Sequence, residues 1–187
     1  MEYRIIKPEE YKTMPWKNGK GVTTELFIKN AQATDKYIYR LSMAGVTEDG
    51  EFSDFSGYDR TLIMLEGNGI RLHHSDGTMN ELRTTSDIAL FSGDEETHAE
   101  LVNGPIKDFN VMTLRERCVS DVKIMSCGKI SAAKKELLIY ALSDTVIVHK
   151  DRKTDLTKNY LLYVSGSEND LEVEGNIISV SIVKIVN

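Results

Sequence analysis

The stretch LIMLEGNGIRL, Leu62–Leu72, decides how the rest of the chain is read. An apolar run closed by Gly67, Asn68 and Gly69 and followed by a short alternating run reads as two strands around a turn. Without gaps it lines up against LIYALSDTVIV, Leu138–Val148, and IALFSG, Ile88–Gly93, lines up against LLYVSG, Leu161–Gly166. After each second match come an acidic loop, a short strand (HAELV at 98–102, LEVEG at 171–175) and a last strand (FNVMT at 109–113, ISVSI at 178–182). Self-similarity of this order predicts two tandem copies of one β-unit. The copies differ in what they keep: Asp108 and Asn110 become Ile177 and Ser179, while Arg60 and Arg71 align with Glu136 and Ile147. Any chemistry therefore belongs to the first copy.

Outward from this repeat, strand signals dominate. YIYRLSMAGV (37–46), RTLIMLEG (60–67), GIRLHH (69–74), DIALFSG (87–93), HAELV (98–102) and DFNVMTLRE (108–116) are short and end at Gly, Asn, Asp or Ser. Only SAAKKELL, Ser131–Leu138, has the composition for a helical turn or two, and it runs directly into a strand. Short strands separated by turns are the pattern of all-β sandwiches and barrels. The expected organisation is an N-terminal barrel over residues 1–116, carrying the pocket, and a degenerate C-terminal barrel over 117–187, packed as one compact unit.

The chain has 187 residues, a net charge of -6 and a pI near 5.3. Its Lys and Arg are scattered among acids, which argues against nucleic acid as a partner. The N-terminus, MEYRIIKPEEYKTM, carries acids where a signal peptide needs a cationic start and an apolar run. No apolar segment reaches membrane-spanning length, so a cytoplasmic protein without a membrane partner is expected. Cys118 and Cys127 fit neither a CxxC motif nor a zinc cluster and are expected to be reduced thiols.

Chemistry-bearing residues concentrate in MPWKNGKGVTTELFI, Met14–Ile28, where the single Trp stands beside an amide, glycines, two threonines and a carboxylate. Gly19 and Gly21 allow a sharp turn or a close approach. Thr23, Glu25 and Phe27 then alternate with Thr24, Leu26 and Ile28, placing Glu25 on the face of Thr23. This reads equally as a polar pocket with an indole wall or as a tight hairpin with a core Trp. Arg40 shares a strand face with Ile38, Ser42 and Ala44; either it pairs with a carboxylate such as Glu25 or its face is solvated. Arg60 either holds a ligand carboxylate with its planar fork or is an edge charge bonded to Asp59 or Asp54. Asp108, Asn110 and Met112 alternate with Phe109, Val111 and Thr113, so an acid and an amide on one inward face need a network or a ligand.

Small β-barrels of this kind often hold a metal through a His-x-His pair, a following Glu and a later His. Here Arg60 stands where that Glu belongs, and the loop before it has no His. His73 and His74 are adjacent and so face opposite ways, and His98 and His149 stand apart. No metal site and no cofactor are expected. There is no GxSxG elbow, no phosphate loop and no activated Cys, so no catalytic residue is assigned; Glu25 and Asp108 stand as an acid and base pair only if they converge.

WKNGKGVTTELF, Trp16–Phe27, resembles the W-[RK]-N-G-G-G-x-T-x-E-I signature of the HutD/Ves family. The resemblance continues through YRLSMAGVTEDGEFSDFSGYDRTLIMLEGNG, Tyr39–Gly69, and ends at DFNVMTLR, Asp108–Arg115. It implies a cupin-like (RmlC-like jelly roll) bicupin of two β-barrel units with few short helices and without the cupin metal ligands. It also implies a metal-independent binding protein for a small carboxylate metabolite, of the N-formylglutamate kind, regulating histidine utilisation. The alternatives are a metal-free isomerase or hydrolase with Glu25 or Asp108 as general base, and a protein-interaction module. Homodimers through edge strands are compatible with it.

Carried over residue by residue, the pattern highlights Trp16, Asn18, Gly19, Gly21, Thr23, Glu25, Arg40, Phe52, Ser53, Phe55, Gly57, Asp59, Arg60, Asp108, Phe109 and Asn110. Of these, Trp16, Asn18, Thr23, Glu25, Arg40, Ser53, Phe55, Arg60, Asp108 and Asn110 form the expected ligand-binding set. Trp16 is its wall, Asn18 and Asn110 its amides, Arg60 or Arg40 its anion holder, and Glu25 and Asp108 orient those groups. Lys20 replaces a Gly of the signature and Thr24 stands where an Arg is common; if that Arg holds an anionic ligand in the family, this protein either binds something else or uses Lys20 instead.

Overall fold

The computed structural model describes residues 2–16, 21–32, 34–150 and 152–185. Their strands are β1 (Glu2–Ile6), β2 (Lys12–Pro15), β3 (Gly21–Asn30), β4 (Tyr37–Val46), β5 (Gly50–Glu51), β6 (Tyr58–Glu66), β7 (Ile70–His74), β8 (Met79–Leu82), β9 (Ile88–Ser92), β10 (Thr97–Leu101), β11 (Ile106–Leu114), β12 (Cys118–Ile130), β13 (Glu136–Ala141), β14 (Thr145–His149), β15 (Arg152–Leu156), β16 (Leu161–Ser165) and β17 (Leu171–Lys184). Among the described residues the one helical piece is a 3-10 turn at Pro8–Glu10. Each of the six strands expected between 37 and 116 is found with both ends within two residues.

Two compact units result. In the N-terminal barrel, Lys12–Arg117, antiparallel strands form a six-stranded sheet, β2-β3-β4-β11-β6-β9, and a four-stranded sheet, β5-β10-β7-β8. Val46, Leu62, Met64, Ile70, Leu72, Leu82, Ala89, Ala99 and Ile106 are buried as one core. On β6 and β7 the inward set recurs at every second residue, Leu62 with Met64 and Ile70 with Leu72, the period that a two-layer β fold imposes. In the C-terminal barrel the strands run β1-β16-β13-β17-β14-β15, with β12 also on β17. Their core includes Ile130, Leu137, Ile139, Ile147, Leu162, Val164, Val173 and Ile177.

The repeat survives pair by pair: β11 and β6 match β17 and β13, β6 and β9 match β13 and β16, and β10 and β7 match β17 and β14. Register corrects the gap-free alignment, however. Leu62 pairs with Ala89 and Asn110, and the residue that pairs with their counterparts Leu162 and Ser179 is Ile139. The counterpart of Arg60 is thus Leu137, not Glu136. On β14 it is Ile147 that matches buried Leu72, making Val146 the counterpart of Arg71. A two-residue difference in the connecting turn produces the slip, and a slip of one exchanges the faces of a strand.

Three further expectations change. Residues 2–6, placed in the N-terminal barrel by the expected boundary at 116, form β1, which pairs antiparallel with β16, from Glu2 against Ser165 to Ile6 against Leu161, and so belongs to the C-terminal barrel. It covers a strand edge and packs Tyr3 and Ile5 against that core. Residues 131–138 do not form a helical turn that continues into the strand: Lys134 takes a left-handed φ of 59°, the Lys135 N–H donates to the Ala132 carbonyl at 3.2 Å, and β13 starts at Glu136. All six residues of β13 are buried between β16 and β17, so tertiary pairing overrides the helix propensity of the segment. On β3, the register shifts between Glu25 and Phe27, so Phe27 leaves the face of Glu25 and stacks on Tyr39 at 5.8 Å.

β17 changes partner along its length within the C-terminal sheet, Leu171–Glu174 against β14 and Ile177–Ile182 against β13. Gly175 makes the corner with φ at 136°, and a Cβ there would stand 2.4 Å from the Thr145 hydroxyl oxygen. Gly175→Ala is expected to lower the unfolding free energy by about 1–3 kcal/mol. Urea denaturation followed by far-UV circular dichroism measures this; Gly50→Ala, whose Cβ meets nothing within 4 Å, is the control and should stay within about 0.5 kcal/mol of the parent.

Candidate functional site

Alternation along β11 divides its residues between two environments: Phe109 and Val111 are buried in packed interior, whereas Asp108, Asn110 and Met112 line a cavity of about 460 Å³. β6 contributes Arg60 to the same cavity, β4 contributes Arg40, Ser42, Ala44 and Val46, and β3 contributes Thr23. Pro15 and Trp16 at the end of β2 and Glu51, Phe52, Ser53 and Phe55 around the end of β5 complete it.

The deepest polar groups form a chain. Arg60, 5% exposed, donates from Nη2 to Asn110 Oδ1 at 3.1 Å; Asn110 donates from Nδ2 to Asp108 Oδ1 at 3.1 Å; and Asp108 is 1% exposed. Because a guanidinium only donates, it fixes the amide with its oxygen toward Arg60 and its NH₂ toward the carboxylate. Arg60 Nε is buried with no hydrogen-bond partner among the described residues. The guanidinium carbon lies 4.8, 5.0 and 5.3 Å from the ring centres of Phe91, Phe52 and Phe55, within cation–π range. Desolvation dominates both ionisable ends: it pulls Arg60 down to about 10 against the opposing charge of Asp108. It pushes Asp108 up to about 6 against the Asn110 hydrogen bond, the Arg60 charge and a hydrogen bond from the Ala44 backbone.

Arg40 is a different cation. Its Nε donates to Glu25 Oε2 at 3.0 Å with both side chains under 15% exposed, so the pairing alternative is the one observed. Its guanidinium also meets the Tyr37 phenol, which burial and the neighbouring Tyr58 push up to about 12. Glu25 therefore does not line the cavity itself; it neutralises a residue that does. Trp16 donates from Nε1 to Thr23 Oγ1 at 2.7 Å, and its backbone N–H donates to the Gly21 carbonyl at 2.9 Å. Close approach is what Gly21 supplies, since a Cβ there would stand 2.8 Å from the indole and 2.5 Å from the Gly45 carbonyl. Both readings of this stretch hold together: Trp16 packs against the core and also walls the cavity.

The segment bearing Phe52 and Phe55 is pinned by its backbone. The Phe52 N–H donates to the Thr97 carbonyl at 2.8 Å, the Phe55 N–H to Gly93 at 3.1 Å, and the Gly57 N–H to Asp94 Oδ1 at 2.7 Å. Arg115 ties this corner by donating to Asp59, Asp94 and Ser92. Asp59 and Asp54 are thus occupied elsewhere, the latter by Ser56, and the edge-charge alternative for Arg60 is not what forms.

Of the expected set, Trp16, Thr23, Arg40, Ser53, Phe55, Arg60, Asp108 and Asn110 converge on the one cavity, Glu25 stands behind it, and Asn18, like Gly19 and Lys20, lies outside the described residues. Ser42, Ala44, Val46, Phe52 and Met112 carried a signal in strand alternation or in the family pattern; Pro15 and Glu51 carried none. At the corresponding positions of the C-terminal barrel, Leu137, Ile177 and Ser179 are buried. His73 bonds Glu100 and His98 bonds Glu51 on the surface; buried His74 bonds Thr97 and Asn80, and buried His149 bonds Ser167. No three His, Cys, Asp or Glu side chains among the described residues converge as metal ligands.

Three relatives are informative. An uncharacterised 21.2 kDa protein in the hutC 3' region of Pseudomonas putida is 31% identical over 148 residues, 79% of this chain and 77% of that one. Protein Ves of Escherichia fergusonii is 36% identical over 110 residues, 58% of this chain and 56% of Ves. The solved structure of HutD from Pseudomonas fluorescens SBW25 superposes with a TM-score of 0.88 at 25% identity, covering 99% of this chain and 100% of HutD. At the level of fold alone, the likeness reaches a cupin 2 conserved barrel domain protein from Leptotrichia buccalis, with a TM-score of 0.58 at 12% identity over 96% of this chain and 100% of that one. The model of the HutD family matches residues 8–179, and the chain belongs to that family, with its cupin-like, all-β fold.

Proposed function

We propose that the cavity of the N-terminal barrel binds a small carboxylate-bearing metabolite without a metal, and that the protein acts as a regulator linked to histidine utilisation. The observation that carries this reading is Arg60: a buried cation on the cavity wall with Nε unpartnered among the described residues. Burying a charged donor without a partner is costly, and a carboxylate is the group that removes the cost. Phe52, Phe55 and Phe91 stand around the guanidinium of Arg60, which lines the cavity with its Nη2 on Asn110. Around it the wall is largely apolar with a few convergent polar groups, the usual make-up of a small-molecule site. The link to histidine utilisation rests on family membership and on the hutC-region relative.

A second reading is a metal-free enzyme with Asp108 as general base, favoured by a buried carboxyl raised to about 6 on the cavity wall. Glu25 is the weaker base, since its carboxylate is held by Arg40. Asp108→Asn discriminates: it abolishes turnover of a bound carboxylate if the protein is an enzyme, and there is no turnover to lose if it is a binding protein.

For the binding reading, N-formylglutamate and other carboxylates of histidine breakdown are screened by thermal shift, with Trp16, the single Trp, as a fluorescent reporter in the wall. A ligand at one hundred times its Kd adds about 2.7 kcal/mol to stability. Both signals should disappear in Arg60→Met, which keeps bulk and removes the charge. A ligand response retained in that variant would remove Arg60 from recognition.

The buried carboxyl has its own signature. Asp108 titrates near 6 in the fold against 3.8 for an ordinary Asp, so the folded state binds the extra proton between these values. Its contribution to stability therefore falls as pH rises from about 4 to about 6, and stays reduced above. Urea midpoints across this range should decline more steeply for the parent than for Asp108→Asn; equal slopes would place the titration elsewhere.

A further inference from the structure

We propose that an anion enters this cavity together with one proton, which is held on Asp108. The inference rests on the carboxylate-binding reading and adds what the arrangement of charges demands of it.

Among the described residues, the charges around Asp108 are few. Arg60 on β6 reaches it through Asn110. Arg40 on β4 is neutralised by Glu25 on β3. Glu51, beyond β4, is exposed and bonded to His98. Among the described residues the buried and half-buried charges thus already sum to zero, one carboxylate for each guanidinium. A ligand carboxylate seated on Arg60 engages the countercharge that Asp108 depends on and adds a second negative charge to the same desolvated space. Two carboxylates sharing one buried cation do not both stay ionised.

Asp108 is the group that yields. It is 1% exposed, it accepts from Asn110 and from the Ala44 backbone, and its carboxyl already stands near 6. A ligand carboxylate paired with the Arg60 guanidinium on the cavity wall has the stronger claim to its charge. The proton comes from solvent and forms one O–H bond on Asp108; no bond of the ligand is made or broken, and the charge of the cavity is the same before and after. Once protonated, Asp108 also gains a donor.

The probe is acetate, followed by NMR chemical-shift titration from about pH 6 to about pH 8, a range in which acetate stays ionised. In the parent its Kd should rise roughly tenfold per pH unit, the slope of one linked proton. In Asp108→Asn, whose amide imitates the neutral acid, it should be flat and remain tight at the upper end. Calorimetry of the parent in two buffers of different ionisation enthalpy counts the proton without any variant. Binding with a pH-independent Kd and no proton uptake overturns the proposal while leaving the carboxylate site standing. No acetate binding at any pH removes the site, and the coupling with it.

Discussion

A guanidinium taken out of water is the constraint on which the N-terminal barrel is organised. Arg60 lies between β9 and β11, where its strand neighbours Phe91 and Met112 are hydrophobic and its side-chain hydrogen-bond partner among the described residues is a single amide. Desolvation alone would expel such a group. Three phenyl rings, the Asn110 oxygen and the nearby Asp108 charge hold it. Each works only because of strand register: Asp108, Asn110 and Met112 stand opposite Met64, Leu62 and Arg60 on one side and Ala44, Ser42 and Arg40 on the other. A one-residue slip of β11 would turn Phe109 and Val111 into the cavity and both polar residues away from it.

The C-terminal barrel shows what the same framework becomes without that charge. Register places Leu137 where Arg60 stands, Val164 for Phe91, Ile177 for Asp108 and Ser179 for Asn110. These residues are buried, three of the four are aliphatic, and Leu137, Val164 and Ile177 pack in one core with Ile139 and Leu162. With the cation gone there is no need for an amide to orient or a carboxylate to compensate, and the interior closes on itself. The differences between the copies are thus one correlated change around a buried charge.

The sequence was most legible where physics is local. Period-two alternation and turn residues gave the strands, and alternation on β11 put Asp108 with Asn110. It was least legible where a single residue of register matters. The gap-free repeat set Arg60 against Glu136, and the unbroken alternation through Phe27 missed the irregularity after Glu25. β12, Cys118–Ile130, mixes charges with apolar residues along an edge and gave no clean strand signal. No strand is expected at 2–6 from the residues alone; only the pairing of β1 with β16, far along the chain, assigns it to the C-terminal barrel. Glu51 reaches the cavity because of where β5 ends, a placement that no residue pattern encodes.

The cage around Arg60 is part of the framework and not a flap laid over it. Phe52 and Phe55 come from irregular chain, yet their N–H groups donate to the Thr97 and Gly93 carbonyls, and Gly93 lies so close to Phe55 that a Cβ would meet the Phe55 carbonyl oxygen. Arg115, just past β11, then binds Asp59 and Asp94 and so ties the ends of β6, β9 and β11 together. As a surface ion pair each contact is weak, but one planar side chain with five donors joins three strand ends at once. The strands that meet at this clamp are those that carry Arg60, Phe91 and Asn110. A cation whose partner groups are fixed before any ligand arrives can discriminate by geometry, because little of the binding energy goes into ordering the wall.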